Sequence, residues 1–134
     1  MPRSTLQDRE RELIRGRNFC HIATRDDDDT IHSVIAWCDL DDRDRIVLNT
    51  VDGRRWLRNA QRMGGATLTV PDTANPYEYV SVVARLDEAT SDGAEAVIDA
   101  LARKFTGEGF TLRPHETRVT VRFAPERISY RDWT

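Results

Sequence analysis

Ile46-Val47-Leu48-Asn49-Thr50-Val51-Asp52-Gly53-Arg54-Arg55-Trp56-Leu57-Arg58-Asn59 decides how the chain folds. Ile46, Val47 and Leu48 form an apolar run that ends in small polar residues, the mark of a short strand. Asp52 then sits where a helix N-cap belongs. From there Trp56, Leu57, Ala60 and Met63 return at helical spacing, which predicts a helix over about 53–62 that Gly64-Gly65 ends. Arg54, Arg55 and Arg58 crowd its first two turns, against a helix dipole whose positive end favours carboxylates. Cations gathered there make sense around an external anion that the free N–H groups of the first turn also hold. Arg54 and Arg58 are four residues apart and Arg55 and Arg58 three, so all three can converge on one patch. The patch reads as a phosphate site; a solvated arginine face is the alternative.

Toward the amino terminus, strands are predicted at about 18–25, 31–39 and 45–50, separated by acidic turns at 26–29 and 41–44. A helix precedes them, capped by Thr5 and stopped by Gly16, with Leu6, Leu13 and Ile14 inward. Toward the carboxyl terminus a strand over 66–70, a loop over 71–76 and a strand over 79–88 are expected. A helix over about 92–105 buries Ala94, Val97, Ile98, Leu101, Ala102 and Phe105. Val119, Val121 and Phe123 alternate with Arg118, Thr120 and Arg122 as in a half-buried strand, and Ile128 to Tyr130 extends the sheet. Hairpin strands interrupted by helices argue for an α+β fold, an antiparallel barrel with helices packed outside it.

A chain of 134 residues buries one core, so one domain spanning 1–134 is expected. No apolar run reaches membrane-span length, and the first residues carry no hydrophobic signal core, so no membrane contact and a cytoplasmic location are expected. Net charge is −3 with acids and bases mixed along the chain, which argues against a nucleic-acid partner. Cys20 and Cys38 fall opposite each other in a hairpin centred near Asp29, with His21 and His32 nearby, but no Cys-x-x-Cys spacing exists. They read as reduced, buried small hydrophobes. The 26–29 aspartates lack the glycine and distal glutamate of a calcium loop, so no metal is expected. Neither a Gly-x-Ser-x-Gly elbow nor a Gly-x-Gly-x-x-Gly turn is present, and no histidine pairs with a nucleophile or acid. No catalytic side chain is assigned.

Several segments, taken in order, resemble the pyridoxamine-phosphate-oxidase-like split β-barrel proteins, particularly the small branch that uses the deazaflavin coenzyme F420. They are Leu13-Ile14-Arg15-Gly16-Arg17-Asn18-Phe19, Ile22-Ala23-Thr24, Ala36-Trp37-Cys38-Asp39 and Asn49-Thr50 with the arginine helix. Asn75-Pro76-Tyr77-Glu78-Tyr79-Val80, the helix from Ile98 to Phe105, Glu116-Thr117-Arg118-Val119 and Pro125-Glu126-Arg127-Ile128 complete the set. The resemblance implies a dimeric FMN-binding split barrel with peripheral helices, in which both chains wall a cofactor groove. It implies that Arg54, Arg58 and Asn59 hold the cofactor's phosphate with Thr50 near them. It also implies that the backbone of Ser33, Val34 and Ile35 lies along the ring, and that Tyr77 and Tyr79 of a second copy close the groove. A flavin-type cofactor carries the hydride itself, and the protein binds, orients and excludes water.

The chain also departs from the family pattern. Trp56 stands where many members carry a phosphate-binding lysine, and Arg55 next door is the candidate to compensate. Gly64-Gly65 replaces Asp-Pro after the helix, Ala84 replaces a glycine in a later strand, and the four aspartates replace a glycine-containing turn. Three readings follow. The leading one is an oxidoreductase passing hydride between F420 and a small unsaturated or quinone-like compound. FMN in the same fold is the second, and a non-catalytic flavin- or deazaflavin-binding protein the third.

Overall fold

A computed structural model describes residues 3–134; Met1 and Pro2, which the expected domain and leaderless amino terminus include, lie outside the described residues. The elements are α1 (Asp8–Arg15), β1 (Cys20–Arg25), β2 (Ile31–Ala36), β3 (Asp39–Leu40), β4 (Ile46–Val51), α2 (Arg55–Met63), β5 (Gly65–Asp72), β6 (Asn75–Thr90), α3 (Ala94–Thr106) and β7 (Arg118–Asp132). All seven strands join one antiparallel sheet in the order β2-β1-β5-β6-β7-β4-β3. β2 and β3 thus occupy opposite edges, yet only Trp37 and Cys38 separate them. A few residues span at most about 3.5 Å each, so the sheet must curl until its edges nearly meet. The result is the split barrel, an α+β architecture with the three helices of the described residues outside it.

Ile22, Ile46, Leu48, Leu68, Val80, Val82, Val121 and Phe123 fill the barrel. Leu13 and Ile14 of α1 and Trp56, Leu57 and Ala60 of α2 close over them. Cys20 and Cys38 are both fully buried and unbridged, and Cys38 Sγ lies 3.6 Å from the Asn18 carbonyl oxygen. The neighbouring Cys38 thiol first, and burial second, push the Cys20 thiol above its ordinary pKa. No cluster of three potential metal ligands occurs among the described residues. None of the helices is long and apolar enough to cross a membrane.

Several boundaries differ from the sequence reading, each for a local reason. α1 starts at Asp8, not at a Thr5 cap, because Glu10 reaches back to the Gln7 N–H at 2.8 Å and is itself gripped by Arg3 at 2.6 Å. α2 starts two residues later than expected. Gly53 turns the chain at φ +85°, the Asp52 N–H is committed to Thr117 O at 2.8 Å, and Arg54, not Asp52, becomes the N-cap. Met63 faces outward at the last turn, where its sulfur meets the Arg25 N–H at 3.2 Å. The expected 71–76 loop shrinks to Thr73-Ala74, and the strands on either side lengthen around a register shift after Pro71.

The Gly64-Gly65 pair has a structural account. Gly64 ends α2 in the left-handed region at φ +80°, and at Gly65 a Cβ would lie 2.1 Å from the Ala84 carbonyl oxygen. The close approach of β5 and β6 falls beside Ala84, which supplies the carbonyl.

One ion-pair network fastens α1 to the sheet. Arg9 grips Glu78 through Nη2–Oε1 at 2.6 Å and Nε–Oε2 at 2.7 Å, and the Tyr130 hydroxyl donates to the same carboxylate. Arg9 first and Tyr130 second hold the Glu78 carboxyl down to about 2. A carboxyl whose folded pKa is depressed stabilises the fold above its unfolded value, and that contribution is lost as pH falls through the folded value. Thermal unfolding of the wild type is therefore expected to weaken more steeply than that of Glu78→Gln as the pH drops from about 4.5 to about 2. Parallel pH profiles would show that Glu78 adds nothing in this window.

Candidate functional site

Where the barrel splits, β2, β4, α2 and α3 wall a groove of about 450 Å³. Val34, Ile35, Ala36 and Trp37 supply one side, Asn49, Thr50 and Trp56 the floor, and Ile98 and Phe110 the opposite rim. Its volume lies in the range of small-molecule sites. β2 is an edge strand, bonded only to β1, so its other edge presents unpaired N–H and C=O groups. Trp37 is fixed by stacking on Phe105 of α3, with ring centroids 5.8 Å apart and planes 8° off parallel. Lys104 holds that end of α3, donating to Cys38 O at 2.6 Å and Ile14 O at 3.2 Å.

The polar end of the groove is organised by Asn49. Its side-chain amide donates to Ala94 O at 2.9 Å and Thr120 Oγ1 at 3.2 Å, and its Oδ1 accepts the Arg118 Nε–H at 2.9 Å. One half-buried amide thus ties β4 to α3 and β7 and aims a guanidinium. Arg118 is only 9% exposed at its side chain and lies over the Phe110 ring at 5.0 Å. Burial lowers its pKa first; Glu116 partly offsets this, and the neighbouring charge of Arg54 lowers it further.

The arginines of α2 do not act alike. Arg54 and Arg55 line the groove. Arg55 is also paired with Asp26, through Nε–Oδ1 at 3.0 Å and a second short contact from its Nη2. Arg58 and Asn59 face a separate hollow bounded by Asp26, Asp27 and Asp28. The Asn59 side chain is buried there, donating to Asp26 Oδ1 at 2.8 Å and Thr24 Oγ1 at 3.1 Å. Arg55 first and Asn59 second hold the Asp26 carboxyl well below the usual carboxylate range. The acidic turn is therefore docked on α2, where a solvated hairpin tip was expected.

Of the expected site residues, the structure brings Val34, Ile35, Thr50, Arg54 and Arg55 to one groove. Ser33 lies on the outward side of β2, Arg58 and Asn59 lie behind α2, and Tyr77 and Tyr79 sit at the start of β6. Tyr77 is 65% exposed. Arg118, Asn49, Phe110 and Ile98 were not assigned to the site from the sequence. Arg118 reads there as the solvent-facing partner of Val119, and only the β4–β7 register, which sets Val51 opposite Arg118, carries it to the groove.

A family model described as pyridoxamine 5'-phosphate oxidase matches residues 6–132. Among solved structures, an F420 reductase superposes with a TM-score of 0.80 at 21% identity, over 92% of this chain and 98% of its own. A conserved hypothetical protein of Mycobacterium tuberculosis gives 0.73 at 20%, over 98% of this chain and 89% of its own. General Stress Protein 26 of Bacillus anthracis gives 0.68 at 16%, with 92% of each chain covered. No curated protein matches significantly. At these identities the likenesses establish the split-barrel fold.

Trp56 is 4% exposed and packs toward Phe123, its ring centroid 6.4 Å away, so it serves the core as well as the groove floor. Trp56→Lys is expected to cost on the order of 3–5 kcal/mol in urea unfolding, the scale of losing a buried tryptophan. Unchanged stability would mean that the ring contributes no packing there.

Proposed function

The chain belongs to the pyridoxamine 5'-phosphate oxidase family, and from that premise we propose that it is an oxidoreductase binding the deazaflavin coenzyme F420 in the β2–α2 groove. Its second substrate would be a small unsaturated or quinone-like compound. The observation that carries this reading is the groove itself, with an apolar wall along an unpaired strand edge at one end and a desolvated guanidinium at the other. Those features fit a planar heterocycle joined to a phosphate. The fold shared with an F420 reductase supports the choice of cofactor.

F420 when bound supplies the hydride chemistry. The chain's part is binding and orientation. Ser33, Val34 and Ile35 would lend backbone N–H and C=O groups of the free β2 edge to the ring's polar atoms, while Ala36, Trp37 and Trp56 exclude water from its faces. Thr50 and Arg54 lie toward the phosphate end, and Arg55 backs them while bound to Asp26. Asn59 supports the helix from behind by holding the acidic turn, and Arg58 faces the same hollow.

FMN is the alternative cofactor, favoured by the family model's description as an oxidase. Non-catalytic binding is the third reading; the fold also occurs in a conserved hypothetical protein and a general stress protein, neither named for an activity. Titration of the purified protein with both cofactors separates them. F420 is expected to bind at least about tenfold tighter than FMN, a difference of about 1.4 kcal/mol. The reverse order would overturn the preferred reading, and binding of neither would favour the third.

The protein is further proposed to be a homodimer with a second copy closing the groove. Ile31 and Ile35 on β2, Tyr77 on β6 and Trp133 all stand 63–68% exposed, which is costly for an isolated chain. Tyr77 and Tyr79 of that second copy would reach the groove. Light scattering at micromolar concentration should give twice the 15.4 kDa chain mass; a monomer would remove the second wall.

A further inference from the structure

Neither the apolar wall nor the arginine end of the groove accounts for His32. It is the one histidine of the three that lines the space. His21 stands on β1 opposite Ile35, and His115 lies exposed between α3 and β7. Alternation along β2 puts the His32 side chain on the same side as Val34 and Ala36, about 7 Å along the strand from Val34. His32 thus ends the wall that Trp37 begins, and it directly precedes the Ser33–Ile35 backbone.

The charged side chains that share its surroundings are Asp26 of the acidic turn, Arg54 and Arg55 of α2 and Arg118 of β7. Both Asp26 oxygens are occupied, Oδ1 by Arg55 and Asn59 and Oδ2 by Arg55, so this carboxylate is not free to take a proton from the imidazole. The rest of the lining does not release a proton near neutral pH. Every other ionisable side chain of the groove is an arginine, which keeps its proton. The Thr50 hydroxyl and the Trp37 and Trp56 indole N–H groups donate hydrogen bonds only. Imidazole is the side chain that exchanges its proton in that range. Reduction of an unsaturated compound consumes one proton for each hydride, so a groove that keeps water from the reacting atoms has to supply it.

We propose that His32 is the proton donor of the groove, and hence a catalytic residue. The substrate's double bond accepts a hydride at one atom, from the reduced deazaflavin, and a proton at the other, from the protonated His32 ring. One N–H bond of the imidazolium breaks as the new C–H or O–H bond forms. The substrate gains two electrons and two hydrogens, the cofactor leaves oxidised, and the imidazole is left neutral. Water at the half-exposed edge of His32 returns the proton. The proposal rests on the hydride-transfer reading of the groove and adds the acid that reading does not name.

The test uses the whole protein with reduced F420 and two acceptors: 2-cyclohexenone, whose reduction puts the proton on carbon, and menadione, whose reduced form carries the negative charge more readily on oxygen. His32→Gln is expected to lower kcat on cyclohexenone at least about a hundredfold and on menadione much less, the scale of general acid catalysis. Its F420 affinity, read by calorimetry, should stay within about twofold of wild type. Wild-type kcat should fall as the pH rises through about 6 to 8, where imidazolium loses its proton; that of His32→Gln should not. The arginines stay charged and Asp26 stays ionised across that window, so the profile reports the imidazole. In the complex with oxidised F420, the His32 ring resonance, identified by its absence from His32→Gln, should titrate with the midpoint of the rate profile. Added imidazole should restore activity to His32→Ala.

Unchanged kcat in His32→Gln overturns the proposal, as does a ring resonance whose midpoint lies more than about one pH unit from that of the rate. Equal losses on both acceptors together with weakened F420 affinity make His32 a binding residue instead. A rate flat to about pH 9 and falling beyond it gives the proton to a tyrosine of the second copy. A wild type that binds F420 but reduces neither acceptor removes the proton donor and leaves the cofactor site standing. One that binds neither cofactor removes the hydride-transfer reading as well.

Discussion

Two residues, Trp37 and Cys38, join the opposite edges of a seven-stranded sheet, and most of the molecule follows from that short tether. An antiparallel sheet of this width could lie open, but the tether forces it to curl into a barrel with a seam. The tether is itself pinned on both sides. Cys38 is buried beside Cys20, its carbonyl accepts from Lys104, and Trp37 stacks on Phe105. The seam leaves β2 bonded on one side only. An unpaired strand edge is ordinarily an aggregation hazard; here it borders the groove, so the same constraint that closes the core brings backbone polar groups to a partly apolar cavity.

Charge is distributed around that seam in two different ways. Behind α2, the 26–29 turn supplies Asp26 and Asp27 to Arg55 and Arg62, with Asn59 buried between. These contacts are partly exposed, and individually such pairs contribute little. Together they fix the β1–β2 hairpin against the helix and so set the tilt of β2 along the groove. In front of α2 the opposite holds. Arg54 and Arg118 approach with only a distant, shared glutamate to balance them. Had the acidic turn packed on the other face of the helix, the groove would have been neutralised from within.

Much of the fold was legible in the sequence because it rests on local periodicity. Leu13 and Ile14 in α1, Trp56, Leu57 and Ala60 in α2, Ile98, Leu101 and Ala102 in α3 and the Val119–Val121–Phe123 alternation all bury as their spacing requires. Misses came where a long-range contact outbid a local signal. Asp52 is a good cap residue, but Thr117 holds its N–H and Gly53 redirects the chain, so Arg54 takes the position. Thr120 alternates with buried neighbours yet is wholly buried itself, because Asn49 needs its hydroxyl. The groove was half legible. Thr50, Arg54 and Arg55 share a continuous segment, while Arg118 is 64 residues from Arg54 and arrives through the register of β4 against β7. No spacing rule could have paired them.

Desolvating a guanidinium without a close counter-ion is a cost borne by the free protein. Natural folds tolerate such costs where a ligand removes them, and the stability lost in the apo state returns as binding free energy. Asn49 shows how the cost is kept affordable. A neutral amide oxygen orients Arg118 through a single hydrogen bond and leaves the guanidinium's net charge and its outward edge intact. An aspartate at the same position would pair with Arg118, quench the field in the groove and stabilise the empty protein. The same logic explains why Glu116 stands at 3.8 Å, near enough to moderate the repulsion with Arg54 but too far to occupy the hydrogen-bonding edge. The polar end of the groove is thus held short of electrostatic balance by a neutral partner and a remote one, and an incoming anion completes it.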